Sequence, residues 1–93
     1  MASIRRLKKD IDYLTFAVIG DSLNCLAYGK STDEISAIVE NMIETRNGLR
    51  QRATAGKAVE KRERKAYYRQ LNKDLMVSID GAFSKLSELV KEA

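Results

Sequence analysis

Three stretches of the chain repeat apolar residues at the spacing of an amphipathic helix. The first has apolar residues three, four or seven positions apart: Ile4, Leu7, Ile11, Leu14, Val18 and Cys25. Residues at these intervals share one face of a helix. We therefore predict a first helix over residues 3–28. Gly29 should end it, because glycine adopts the left-handed backbone conformation at low cost.

A capping signal indicates the start of a second helix. Ser31 and Glu34 have the spacing of a capping box, in which each side chain satisfies a free backbone N–H of the other residue, and Thr32 is an alternative cap. The apolar stripe that follows is Ile35, Ile38, Val39, Met42, Ile43 and Leu49. We predict a helix over residues 32–53, with Gly56 at the next turn. Because Asn47-Gly48 is a turn signal, the alternative ends the helix at Arg46 and makes residues 47–56 a basic loop.

The third apolar stripe is the longest: Tyr67, Tyr68, Leu71, Leu75, Ile79, Ala82, Leu86, Leu89 and Val90. It predicts a helix over residues 57–91, about 52 Å long at 1.5 Å per residue, against about 33 Å for the second helix. Its first three turns should then project beyond the core. Short connections favour antiparallel neighbours. The expected fold is a single all-α domain, residues 1–93, an antiparallel up-down-up three-helix bundle with a long C-terminal helix.

The first helix carries a second apolar stripe on another side, formed by Phe16, Ile19, Leu23, Leu26 and Ala27. An outer helix of a three-helix bundle needs only one buried face. A homodimer would cover the second stripe, with Phe16, Ile19, Leu23 and Leu26 as the dimer face. The alternative is a wide seam that faces both other helices of the same chain, with Phe16 at its edge.

The charges are sorted along the chain. The 93 residues include 17 Lys and Arg and 13 Asp and Glu, for a net charge of +4. Ten of the basic residues lie between Arg46 and Lys73, where only Glu60 and Glu63 oppose them. Four more are Arg5, Arg6, Lys8 and Lys9, and the rest of the chain is net negative. In an up-down-up bundle both basic segments fall at the same end, so a small net charge conceals a strongly dipolar molecule.

Such an end predicts contact with a polyanion, most plausibly nucleic acid, whose phosphates Lys and Arg would neutralise. The expected contact residues are Arg5, Arg6, Arg50, Arg52, Lys61, Arg62, Arg64, Lys65 and Arg69. Tyr67 and Tyr68 either stack on unpaired bases or pack against the core with exposed hydroxyls. Because the second and third helices are too long for a helix-turn-helix, backbone or RNA contact is favoured over sequence-specific DNA recognition.

Two other interpretations compete with contact to a polyanion. Basic runs on helices are commonly solvated faces, and some of the charge can be balanced within a helix, since Glu60 and Arg64 are four residues apart in the favourable order. Alternatively, the protein is an interaction or scaffold module that acts through the apolar second face of the first helix. Polyanion binding weakens steeply with salt, whereas an apolar interface changes little.

Residues for catalysis are scarce. The chain has no histidine, so the commonest general base and metal ligand is missing. Cys25 is the only cysteine and lies on a core stripe, which fits a small buried residue in a reducing compartment. No apolar run approaches the roughly 20 residues that cross a bilayer. We therefore expect a cytoplasmic protein that is not an enzyme, with no cofactor, no metal and no membrane contact.

The first residues of the chain invite comparison with one enzyme family. Ile4-Arg5-Arg6-Leu7-Lys8-Lys9-Asp10-Ile11-Asp12 resembles the opening of the all-helical chorismate mutases. The resemblance covers about a dozen residues and implies an intertwined three-helix dimer that binds a dianionic substrate through Arg and Lys. The first helix is expected to end at Gly29, where that family's first helix is much longer. The family's downstream Arg, Lys and Gln set does not align, so no catalytic residue is carried over.

Overall fold

Three α-helices make up nearly all of the described structure. The computed structural model describes residues 4–27, 29 and 32–91. The helices are α1 (Ile4–Ala27), α2 (Thr32–Ala55) and α3 (Arg64–Lys91), and two short 3₁₀ turns, Gly56–Ala58 and Lys61–Glu63, lie between α2 and α3. No strand occurs within these described ranges. The predicted all-α, three-helix fold is therefore confirmed.

The ends of α1 and α2 follow the local sequence. Gly29 has a φ of 79° and its N–H donates to the carbonyl of Leu26 at 3.0 Å, as expected for a glycine that ends a helix. The helix α2 begins at Thr32, and Ser31 lies outside the described residues. The helix then continues through Asn47-Gly48 to Ala55, so the alternative of a basic loop over residues 47–56 is wrong. Burial of Leu49 and Ala53 against the core holds these last turns helical.

The predicted start of the third helix at Lys57 is wrong, because α3 begins only at Arg64. Between the helices, Val59 and Glu60 are extended, with ψ values of 140° and 138°. Residues 57–63 offer no apolar stripe that a helix could bury, so packing gives those turns little reason to form. The segment 56–63, hereafter the connector, folds back instead. The helix α3 is about 42 Å long, and the expected three projecting helical turns do not exist.

Side-chain contacts give the relative directions of the helices. Arg50 of α2 donates to the carbonyl of Lys8, and Arg46, one turn earlier, bonds Asp12, one turn later in α1. The helices α1 and α2 are thus antiparallel. Between α2 and α3, Tyr68 reaches Ala53 near one end, and Asn41 and Gly81 line one groove farther along, so this pair is also antiparallel. The resulting molecule is elongated, with extents of 50 × 18 × 17 Å.

The core runs the length of the bundle along the predicted stripes. Its buried apolar residues are Leu7, Ile11, Val18, Ile35, Ile38, Met42, Leu49, Ala53, Leu71, Leu75, Ile79, Ala82 and Leu86. Two polar residues of α1, Thr15 and Ser22, are completely buried among them. Their hydroxyls donate to carbonyls one turn earlier, of Ile11 at 2.7 Å and of Val18 at 2.8 Å. Both residues therefore bury a hydroxyl without leaving it unsatisfied.

Two smaller expectations concern Cys25 and the membrane. The thiol of Cys25 is free, and its residue is partly buried against the core, as its position on the apolar stripe predicts. Among the described residues, no helix combines the length and hydropathy that crossing a bilayer requires.

Replacing Gly48 or Gly56 by alanine should change the free energy of unfolding in opposite directions. A Cβ built on Gly48 meets no atom within 4 Å, so Gly48→Ala should raise the free energy of unfolding by about 0.5–1 kcal/mol through helix propensity. A Cβ on Gly56 would overlap the hydroxyl oxygen of Tyr68 and lie 2.5 Å from its Cζ. Gly56→Ala should therefore lower that free energy by about 1–3 kcal/mol. Urea denaturation of the two variants measures both, and equal effects would contradict the packing at Gly56.

Candidate polyanion-binding site

The fold brings the two basic segments of the sequence to one end of the bundle. Arg50 near the end of α2 touches Lys8 near the start of α1, and Tyr67 near the start of α3 touches Arg52 of α2. We call this region the basic end and define it as residues 4–10, 46–55, the connector 56–63, and 64–73. Its charges divide into those that stabilise the fold and those that remain exposed to solvent.

Two arginines of α2 bind one carboxylate of α1. Arg46 Nε lies 2.8 Å from Asp12 Oδ1, and Arg50 Nη1 lies 2.8 Å from Asp12 Oδ2. Arg46 also stacks over the ring of Phe16, with its guanidinium carbon 5.3 Å from the ring centroid. All three charged side chains are about one-third exposed or less. Pairs of this kind contribute on the order of 1 kcal/mol or less each, and here they also fix the register of α1 against α2.

A second ion pair joins α2 to α3. Arg52 Nη2 lies 2.8 Å from Asp74 Oδ2, and Gln70 donates to the other carboxylate oxygen at 2.8 Å. The hydrogen bond from Arg52, followed by the one from Gln70, lowers the pKa of Asp74 below its ordinary value of 3.8, against a smaller opposing effect of burial. Asp74 thus remains a carboxylate into moderately acidic solution, and Arg52 is held as part of the scaffold.

Tyr67 and Tyr68 close the end of α2. Tyr67 donates its hydroxyl hydrogen to the carbonyl of Arg52 at 2.8 Å, and Tyr68 donates to the carbonyl of Ala53 at 2.9 Å. The rings meet edge to face, with centroids 5.5 Å apart. These two carbonyls are among the last four of α2, which have no partner within the helix. Both residues pack against the core, as one of the two expectations had it, but their hydroxyls are not free, since both cap a helix end.

Arg64 holds the connector. Its Nε donates to the carbonyl of Val59 at 2.9 Å and its Nη2 to the carbonyl of Lys57 at 2.8 Å. The expected pairing of Arg64 with Glu60 is absent, because residues 60–63 do not form a regular α-helix. Glu60 binds the exposed Arg62 instead, at 3.1 Å. The role of Arg64 is thus to satisfy backbone acceptors in the bend.

The exposed charges of the basic end are mostly cations. Nine cations are exposed there: Arg5, Arg6, Lys9, Lys57, Lys61, Arg62, Lys65, Arg69 and Lys73. The exposed acids of the same end are only Asp10, Glu60 and Glu63. Within the described chain, no ion pair or hydrogen bond holds the side chains of Arg5, Lys9, Lys57, Lys61, Lys65 or Arg69. These six cations are available to an anionic ligand.

The nine residues expected to contact a polyanion therefore separate into two groups. Arg50, Arg52 and Arg64 are bound to carboxylates or carbonyls of the protein itself. The other six are exposed: Arg5, Arg6, Lys61, Arg62, Lys65 and Arg69. Lys9 and Lys57 are also exposed and belong to the same basic runs, although neither was among the expected contacts. Asp12 and Asp74 had no expected role, because their arginine partners are distant in sequence.

The four residues of the expected dimer face differ in exposure. Phe16 and Leu23 are 52% and 54% exposed, whereas Ile19 and Leu26 are only partly accessible, and Ile19 packs against the core. On the other side of the molecule, a shallow groove of about 290 Å³ lies between α2 and α3, lined among others by Ala37, Val77 and Lys85. No group of three or more potential metal ligands occurs among the residues that the structure describes.

Compared with known proteins, the chain matches no family model, no curated protein sequence and no solved structure. The resemblance of residues 4–12 to the chorismate mutases therefore remains a local one. The helix α1 ends at Ala27, so the short first helix that separates the chain from that family is present in the structure.

The tyrosine caps predict a specific loss of stability. Tyr68→Phe removes the donor to the carbonyl of Ala53 and should lower the free energy of unfolding by about 1 kcal/mol. Tyr13→Phe is the matched control, because Tyr13 is 76% exposed, and should change that energy by less than about 0.5 kcal/mol. Denaturant titration of both variants distinguishes them. Equal stability of the two variants would contradict the capping role of Tyr68.

The lowered pKa of Asp74 predicts a loss of stability in acid. A carboxylate whose pKa is lower in the folded state stabilises the fold above the ordinary value of 3.8, and that contribution disappears as the pH falls through the folded pKa. Asp74→Asn should therefore be less stable than the wild type near pH 6, and the difference should shrink below about pH 4. Asp80→Asn, at an exposed residue of the same helix, is the control. A constant difference across this range would contradict the Arg52–Asp74 pairing.

Proposed function

We propose that the protein acts by binding rather than by catalysis, and that its basic end contacts the phosphate backbone of a nucleic acid. The observation that carries this proposal is the group of six exposed cations that no protein acid neutralises. They come from three separate segments, the start of α1, the connector and the start of α3. Concentrated like charges repel one another, and an anionic ligand relieves that repulsion.

The centre of the proposed contact is the junction of the connector and α3. Lys65 and Arg69 are four residues apart, so they lie side by side on one face of α3. Lys61 precedes them in the connector, which Arg64 and the tyrosine caps hold in a fixed bend. An ordered basic surface loses less conformational freedom on binding than a flexible tail does, and this supports a built contact over a merely solvated face.

The proposed mode of binding follows from which side chains already make contacts within the fold. Tyr67 and Tyr68 pack against the core and cap α2 with their hydroxyls, so this proposal assigns the contact to phosphates rather than to base stacking, which is worth about 1–3 kcal/mol per base. Recognition then rests on phosphates and is independent of base sequence. For four phosphate contacts to a single strand, affinity should fall roughly 50-fold between 50 and 200 mM salt. Both RNA and DNA offer the required chemistry.

A charge-matched pair of variants tests the proposal. Lys65→Gln with Arg69→Gln removes two exposed cations from the basic end, and Lys85→Gln with Lys91→Gln removes two from the other end of the same helix. Fluorescence anisotropy with a labelled single-stranded RNA and a labelled duplex DNA, at two salt concentrations, gives the affinities. We expect the first double variant to bind roughly tenfold or more weakly and the second to bind like the wild type.

Two results would contradict the proposal. Equal weakening by both double variants would indicate a response to net charge without a defined surface. Absence of binding by the wild type at low salt would leave the basic end as a solvated face. Circular dichroism of each variant checks that the helices persist, as expected because all four substituted side chains are exposed.

A second candidate function, a protein-interaction module, has its own observation. Phe16 and Leu23 are more than half exposed on α1, with Phe16 beside Arg46 at the edge of the basic end, and Ile43 of α2 is 44% exposed. An apolar surface of this kind is typical of interaction sites. Its binding would be insensitive to salt and to the substitutions at Lys65 and Arg69.

A further inference from the structure

The outward side of α1 carries two cations and an aromatic ring in one row. Arg5, Lys9 and Tyr13 are four residues apart, so their side chains lie beside one another on successive turns of the helix. All three are exposed. Within the described chain, no ion pair or hydrogen bond holds the side chains of Arg5 and Lys9. The row therefore extends the basic end by one turn and adds a ring to it.

Tyr13 differs from the other rings near the basic end. Its side chain is 76% exposed, and among the described residues no hydrogen bond, ring or cation engages it. Tyr67 and Tyr68 instead contact each other and cap α2 with their hydroxyls. The guanidinium of Arg46 lies over the ring of Phe16, 5.3 Å from its centroid. Tyr13 is thus the ring whose face remains open to a ligand.

The charges around Tyr13 give it a basic side and an acidic side. Lys9 lies four residues before Tyr13 and Asp10 three residues before it, so the two flank the ring on opposite sides. Asp10 is exposed, whereas the carboxylate of Asp12 is already bound by arginines of α2. An anionic ligand should therefore reach the ring from the side of Lys9.

A single exposed ring is ordinary on a protein surface, but a ring beside two uncompensated cations has the chemistry that binds a nucleotide. The Cβ atoms of Lys9 and Tyr13 are about 5–6 Å apart, so the ammonium can bind a phosphate while the ring stacks on a neighbouring base. We propose that Tyr13 is a base-stacking residue and that it makes the basic end select single-stranded over duplex nucleic acid. This inference rests on the proposed function and names the class of nucleic acid that the same site takes.

The preference for a single strand follows from the position of the ring. Tyr13 projects from the outer surface of a helix, where a ligand must present the face of a base to it. In a duplex those faces are covered by the neighbouring base pairs, and exposing one requires that a base be unpaired and turned out of the stack. An unpaired strand offers its bases without that cost, and every base has a face that can stack on a ring.

Stacking on Tyr13 adds to the phosphate contact and leaves its salt dependence unchanged. Arg5 and Lys9 are two of the six exposed cations that carry the proposed function, so a strand that they bind passes beside the ring. Counterion release depends on the number of phosphates bound. The affinity should therefore fall with salt for strands with and without bases, whereas the ratio of the two affinities should stay constant.

The first experiment compares two strands that differ only in their bases. Fluorescence anisotropy at low salt gives the affinity for a labelled thymidine oligonucleotide and for an abasic strand of the same length, which carries the same phosphates. We expect the wild type to bind the thymidine strand roughly tenfold more tightly, about the effect of one stacked base. Tyr13→Leu should abolish this difference and leave the affinity for the abasic strand unchanged.

Two control variants accompany this comparison. Tyr13→Phe keeps a ring at the position and should retain the difference between the strands. Phe83→Leu removes a 37% exposed ring in the far half of α3 and should behave like the wild type. For a duplex of the same length, Tyr13→Leu should bind like the wild type, because the duplex presents no open base.

A fluorescence measurement detects the stacking directly. The chain has no tryptophan, so Tyr13→Trp introduces a single indole at the proposed contact. We expect the thymidine strand to quench its emission, and the abasic strand and the duplex to leave it nearly unchanged, since only an unpaired base can lie against the ring. Circular dichroism of each variant verifies that the helices persist.

The possible outcomes separate this inference from the function on which it rests. Equal wild-type affinity for the two strands, with no effect of Tyr13→Leu, would overturn base stacking and leave the phosphate contact standing. Tighter binding of the duplex than of the thymidine strand would also overturn the inference. If the wild type binds neither strand at low salt, the proposed function itself fails.

Discussion

The bend between α2 and α3 is the constraint on which the rest of the structure depends. The last carbonyls of α2 need donors, and Tyr67 and Tyr68 supply two of them from the first two turns of α3. This is possible only because Gly56 leaves room for the Tyr68 hydroxyl and because Arg64 binds the carbonyls of Lys57 and Val59. If the connector were helical, α3 would extend past the end of α2 and could not meet these acceptors. The point at which α3 begins, and with it the place of Lys65 and Arg69 near the end of α2, follows from this bend.

Within the basic end, arginine and lysine have different tasks. Arg46, Arg50, Arg52 and Arg64 each bond a carboxylate or backbone carbonyls, and two of these arginines share the single carboxylate of Asp12. The lysines Lys9, Lys57, Lys61 and Lys65 extend into solvent without such bonds. The difference follows from chemistry, because a planar guanidinium presents several donors in a fixed fork, whereas an ammonium is a strongly hydrated point charge on a flexible stem. The buried or half-buried cations that hold the basic end together are thus mostly arginines, whereas Arg5, Arg6, Arg62 and Arg69 are exposed like the lysines.

The helix α1 shows how one element can serve two surfaces. Its inner face is buried with Thr15 and Ser22 satisfied by their own helix. Its outer face changes character along the axis, from Arg5 and Lys9 at the start to Phe16 and Leu23 farther on. A charged segment and an apolar segment thus share one face of α1, with Lys9 and Phe16 about two helical turns apart.

The three helices, their approximate extents and their core stripes could be predicted from sequence, because apolar periodicity, Gly29 and the start near Thr32 are local signals. The separation of basic and acidic segments could also be predicted from sequence, because it depends only on the order of the residues. The start of α3 could not, because residues 57–63 have adequate helix propensity, and only the contacts of Gly56, Arg64 and Tyr68 favour the bend. The sequence could not show which arginines bind acceptors within the protein and which stay exposed. The reason is the same, since Asp12 is 34 residues from Arg46 and 38 from Arg50. Sequence by itself determined which faces are apolar and which segments are basic, as properties of neighbouring residues. Tertiary structure decided which charges are neutralised and which apolar face stays open, because both depend on partners that only folding brings within a few ångströms.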